Sequence, residues 1–230
     1  MTFTLAARCP ETGQFGIVIA SSSPAVAARC ANARAGVGVV ATQNVTDPAL
    51  GPRLLDLLDQ GLTAQQALAG VTAATPDIGW RQVLVVDRAG GTAAFTGDRA
   101  LGVHGQVQGD GVVAGGNLLA GPGVPAAMIA AYRAATGPFG DRLLAGLTGG
   151  LAAGGEAGPV HSAGMKIVDR LTWPLVDLRV DWAETDPLTL LHKAWQVYGP
   201  QAEDYVRRAQ SPGAAPGYGV PGDTRRVDEQ

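Results

Sequence analysis

The chain has 230 residues, 46% of them hydrophobic and only 16% charged, which is ample material for a sizeable buried core. A net charge of −3, with acids and bases interspersed, offers no basic stripe for nucleic acid and no polybasic anchor for a membrane surface. The 33 glycines and 15 prolines mark many turns.

The first residues, Met1-Thr2-Phe3-Thr4-Leu5, lack a cationic leader with an apolar core, so no secretory signal is expected. No apolar stretch approaches the length of a bilayer span, and a cytoplasmic protein without a membrane partner is the expectation. Thr2 is the residue of most chemical interest. A small second residue lets an aminopeptidase remove Met1, and a free Thr2 would carry a hydroxyl and a primary amine together, the amine serving as base for the hydroxyl. Cys9 and Cys30 have no close spacing with each other or with a histidine, and read as small core residues rather than a disulfide or metal site.

Thr2 to Cys9 alternates around Phe3, Leu5 and Ala7, and Pro10-Glu11-Thr12-Gly13 is a turn signal. Phe15 to Ala20 follows as a second strand, apolar on both faces and therefore covered on both sides. A small-residue connection leads past Ala33-Arg34-Ala35 to a third strand, Gly36 to Thr42. Its Gly-x-Gly-x-x-Ala spacing is not a dinucleotide fingerprint, because the glycines lie inside the strand. Asp47 is read as an N-cap and Pro48 as the first residue of a helix with Leu50, Leu54, Leu55, Leu57 and Leu58 on its face. Thr63 caps a second helix, Ala64 to Ala74. Strands return at Gln82–Val86 and Thr92–Phe95, around Ala100–Val107, and at Val112–Gly116. Helices are expected at Val124–Ala135 and Gly140–Ala153, strands at His161–Val168 and Pro174–Val180, and a last helix from Pro187 to Arg208. The tail from Ser211 is too poor in apolar residues to fold alone and is expected to be mobile. The order is strands, two helices, strands, two helices, strands, helix. It fits a single-domain four-layer α/β/β/α sandwich of mainly antiparallel sheets ending near Gln210.

The residues Met1-Thr2-Phe3-Thr4, Ala7-Arg8, Pro10-Glu11-Thr12-Gly13, Ala33-Arg34-Ala35-Gly36-Val37-Gly38, Ala41-Thr42-Gln43, Gly97, Gly116-Asn117 and Asp177-Leu178-Arg179-Val180-Asp181 resemble the DUF1028 family. That family is similar in turn to the N-terminal-nucleophile (Ntn) hydrolases. The resemblance implies the same sandwich, with the leading residue of the first strand at the open edge of the two sheets. Some members carry a further C-terminal peptidoglycan-binding-like region, and with so few residues after Val180 none is expected here.

The resemblance also suggests a shell around Thr2. A freed amine has an ordinary pKa of about 7.7–8.0, suited to a general base, and a nearby cation would lower it. Arg34, before the third strand, is the candidate cation, where related enzymes carry Lys; its alternative is a surface carboxylate partner. Ser21 falls where those enzymes place an Asp. Gln43 and Asn44 after the third strand, and Asn117 after two glycines, are candidate oxyanion donors, with loop stabilisation as the alternative. His161 is a candidate substrate contact. His104, His161 and His192 show no metal spacing, and neither metal nor cofactor is expected. The leading reading is an Ntn-type amidohydrolase acting on a small amide or N-acyl substrate; the rival is a binding or assembly protein that retains the fold. A homo-oligomer is a third idea, resting on the Leu face at 54–58 and the Ala-rich helix 124–135, stripes that are more often core.

Overall fold

The alternation of the first strand sets the layers. In β1 (Thr2–Arg8), Phe3, Leu5 and Ala7 enter one apolar cluster, while Ala6 enters another on the opposite face. The turn that follows closes with Gly13 N–H donating to Cys9 O at 2.9 Å, at a φ of +77° that glycine adopts freely. β2 (Phe15–Ser21) returns antiparallel and is buried along its whole length. The computed structural model describes residues 1–220; residues 221–230, part of the tail read as mobile, lie outside the described residues.

Two antiparallel sheets result. The larger has the order β10 (Val176–Val180), β9 (Ser162–Val168), β2, β1, β8 (Val112–Asn117), β7 (Gly105–Gly109). The smaller has β3 (Ala31–Arg34), β4 (Gly38–Asn44), β5 (Arg81–Asp87), β6 (Thr92–Thr96). Helices α2 (Leu50–Asp59) and α3 (Ala64–Ala74) cover the small sheet with Leu50, Leu54, Leu58, Ala67 and Val71 against Val40, Val83 and Val85. Helices α4 (Val124–Ala134) and α5 (Phe139–Ala152) cover the large one with Met128, Leu143 and Leu147 against Phe3 and Leu5. Each such fully buried Leu, Val, Met or Phe side chain contributes roughly 1.5–3 kcal/mol relative to an exposed one. The layers are helix, sheet, sheet, helix, as the order of elements implies. In this core α2 buries Leu54, Leu55 and Leu58 and α4 buries Val124, Met128 and Ile129, while Leu57 is half-buried and Ala126 and Ala130 are exposed.

Three local readings change and one holds. A five-residue helix, α1 (Val26–Cys30), and the short strand β3 occupy the segment read as a connection, so the strand expected at Gly36 begins at Gly38, after a turn. Asp47 does not cap α2. Its carboxylate accepts from Ala49 N–H at 3.0 Å in a local turn, and the helix begins at Leu50 without a side-chain cap. Thr63 does cap α3, in a reciprocal pair with Gln66. The last helix is two, α6 (Pro187–Tyr198) and α7 (Ala202–Gln210), parted by a 3₁₀ turn at Gly199–Gln201, where Pro200 cannot continue the backbone ladder. Among the described residues no helix is long and apolar enough to cross a membrane.

Candidate functional site at the head of the first strand

The space between the sheets changes character along its length. At one end Ala6, Ile17, Val39, Ala41, Leu84, Val86 and Val113 fill it. At the other, the same faces of β1, β2, β4, β5 and β8 carry Thr2, Thr4, Ser21, Gln43, Gln82 and Asn117, all buried. Buried polar groups require partners, and most of these form one network. Thr4 Oγ1 donates to Gln43 Oε1 at 2.5 Å, and Gln43 Nε2 donates to Gln82 Oε1 at 2.7 Å. Asn117 Nδ2 donates to the same Gln82 oxygen at 3.3 Å. Gln82 Nε2 faces Thr96 Oγ1 at 2.9 Å and the Gly116 carbonyl at 3.1 Å, so one amide ties both sheets together.

Thr2 stands beyond this network, opposite Asn117 in the β1–β8 register and 5% exposed. Its Oγ1 lies 3.4 Å from Ser21 Oγ, and both hydroxyls donate to the carbonyl oxygen of Met1. Ser23 N–H donates to Ser21 Oγ at 3.0 Å and fixes that side chain. With Met1 in place the Thr2 hydroxyl is thus covered and engaged.

The other expected residues part company. Gln43 and Asn117 lie near Thr2, but their amide groups bond across the sheets. Asn117 Oδ1 is buried without a partner. Asn44 has a φ of +73° and staples two loops, donating to Trp80 O at 2.5 Å and accepting from Leu101 N–H at 3.2 Å. Its side chain is a loop stabiliser, not a free oxyanion donor. Arg34 is a correction. It pairs with Gly38 at the far end of β4, five residues and roughly 17 Å along the strand from Gln43. There its side chain, 39% exposed, meets Asp56 at 2.8 Å and Asp59 at 3.5 Å on α2, so it cannot act on the amine of Thr2.

His161 is close to the first residues. Its N–H donates to Ser21 O at 2.9 Å, its Nδ1 lies 2.8 Å from Ala183 O, and its ring stacks on Trp182 at 4.4 Å. One group escaped the sequence reading altogether. Glu156, in Gly154-Gly155-Glu156-Ala157-Gly158, is 4% exposed. Burial pushes its carboxyl up to about 7, against the pull of the chain-terminal amine, Ser22 and His161. Ser22 and the amine favour the anion, yet neither carboxylate oxygen reaches a hydrogen-bond partner. An acid among glycines reads as a turn residue, and no stronger signal marks it. Among the described residues no three His, Cys, Asp or Glu side chains gather as a metal site, and both cysteines are free and buried.

Among solved structures the chain is similar to protein SPO2555 from Silicibacter pomeroyi, itself assigned to DUF1028, at 30% identity and a TM-score of 0.84 over 90% of each chain. The overlap is slight with Anbu (ancestral beta-subunit) from Yersinia bercovieri, 11% identical with a TM-score of 0.38 over 89% of this chain and 97% of that one. It is equally slight with an Anbu (Gly-1) mutant from Hyphomicrobium sp. strain MC1, 13% identical with a TM-score of 0.38 over 88% and 96%. Among curated proteins none matches. The model of a family of unknown function matches residues 2–191, and with it the chain belongs to DUF1028.

Proposed function

We propose that the protein is an amidohydrolase of the N-terminal-nucleophile type, acting on a small amide or N-acyl compound through Thr2 after Met1 has been removed. One observation carries this reading: Thr2 and Ser21 direct both hydroxyls at the Met1 carbonyl, at the polar end of the inter-sheet space. Removal of Met1 would leave two converging hydroxyls and a primary amine facing the vacated volume.

The amine would take the Thr2 hydroxyl proton as Oγ1 forms a bond to the substrate carbonyl carbon. Ser21, which donates to a carbonyl oxygen in the present arrangement, would donate to the oxyanion. Return of the proton to the departing nitrogen breaks the C–N bond and leaves an ester on Thr2, which water then hydrolyses by the same relay. Gln43 and Asn117 would hold the floor of the site without touching the reacting atoms.

The rival, a ligand-binding protein that keeps the sandwich without the chemistry, draws support from the position of Arg34, which removes the expected cation from the amine. A panel of N-acyl p-nitroanilides separates the two. Intact mass should show Met1 absent from soluble protein, Thr2→Ala should abolish turnover, and Thr2→Ser should keep part of it. Met1 fully retained, or turnover surviving Thr2→Ala, refutes the nucleophile.

A further inference from the structure

A cavity of about 410 Å³ opens beside the first residue. Leu151, Val160 and Leu188 contribute apolar lining, and Glu156, Glu184 and Asp186 line it as well. Two of these acids are exposed and already engaged. Glu184 accepts from Trp182 Nε1 at 3.0 Å, and Asp186 accepts from Thr189 N–H at 3.1 Å as the cap of α6. Glu156 differs from both. It is 4% exposed, neither oxygen reaches full hydrogen-bond geometry although Ser22 lies beside it, and among the described residues no cation pairs with it within 4.0 Å, the chain-terminal amine and His161 acting on it only from farther away. Among the described residues no lysine or arginine lines the cavity.

An unpaired carboxylate in such a place is costly unless a cation completes it, and apolar lining beside it favours a cation with a hydrocarbon body. A metal ion is poorly served, because only one of these carboxylates is unengaged and among the described residues no three ligands gather. We infer that this cavity is a binding site for an organic ammonium ion, its charged head against Glu156 and its apolar body along Leu151, Val160 and Leu188. The inference stands on the cavity and not on Thr2. Joined to the proposed nucleophile, it makes the substrate an amide that carries a cationic group. A Cβ built on Gly158, in the cavity wall, would sit 3.4 Å from Met1 Cε, so removal of Met1 would widen the cavity toward Thr2.

Hexylammonium, titrated into the full chain at pH 8 and followed by calorimetry, is the probe. It should bind saturably, whereas hexan-1-ol and hexanoate at the same concentrations should not. Glu156→Gln should weaken binding by about tenfold or more, as expected for loss of a charge-assisted contact. Thr185→Lys, at the exposed mouth, should exclude the probe with its own tethered ammonium, and covers the case in which the first variant fails to fold. Thr2→Ala should bind like the parent, so that loss of turnover with binding retained separates this inference from the nucleophile. Equal affinity for the alcohol, undiminished binding to Glu156→Gln, or no saturable binding of hexylammonium overturns it.

Discussion

Replacing Glu156 by Gln should stabilise the protein at pH 8 and leave its stability nearly unchanged at pH 4. The carboxyl titrates near 7 in the folded chain against an ordinary 4.5, because burial disfavours the anion. Below 4.5 it is protonated in both states and contributes no difference. Between 4.5 and 7 the unfolded chain releases its proton while the folded chain holds it, so stability is lost as pH rises through this window. The whole cost, about 3 kcal/mol, is present above 7. Gln has nothing to ionise and escapes it. For a chain of this size the gain at pH 8 corresponds to roughly 6–12 °C in Tm. The chain-terminal amine, Ser22 and His161 act on this carboxyl, and Glu184 and Asp186 share its cavity. All remain in both proteins, so the difference between variant and parent at each pH isolates Glu156. Urea unfolding from pH 4 to pH 8 measures it. A gain independent of pH, or a loss at pH 8, would refute the assignment of a carboxylate whose burial outweighs the groups that favour its anion.

Three further outcomes follow from the packing. Gln82→Leu keeps the volume but strands the Gln43 and Asn117 amides and the Gly116 carbonyl, and should cost about 2–4 kcal/mol in the urea midpoint. Gly97→Ala would place its Cβ 2.1 Å from the backbone oxygen of Gly79, which cannot yield as a side chain can; a loss of more than about 2 kcal/mol is expected by thermal melting. Arg34→Ala should change stability by less than about 1 kcal/mol, since both its ion pairs are solvent-exposed, and should leave hydrolysis of any amide substrate intact. A Michaelis–Menten comparison with the parent checks the second half, and a collapse of kcat would return Arg34 to the site.

The layers were legible because they rest on local patterns. Phe3, Leu5 and Ala7 alternate with Thr2, Thr4 and Ala6, and only a strand with two different covered faces explains that order. Thr63 and Gln66 mark the start of a helix by their own chemistry. The site was less legible because its parts answer to chain closure. Arg34 falls near Thr2 only if the segment before it is a loose connection. Five residues of helix and four of strand, too short for a periodic signal, place it instead at the turn end of a hairpin, where the α2 carboxylates claim it. Glu156 shows the same limit from the other side. Its neighbours suit an exposed turn, but the loop between α5 and β9 is drawn against the segment that follows β8 by Ala157 N–H donating to Leu118 O at 2.9 Å and Ala120 N–H donating to Gly155 O at 3.0 Å. Those bonds bury the acid near the chain-terminal amine, within reach of its charge but of no hydrogen bond. The proposed ammonium site would offset the cost of burying Glu156, a role that no local pattern could announce.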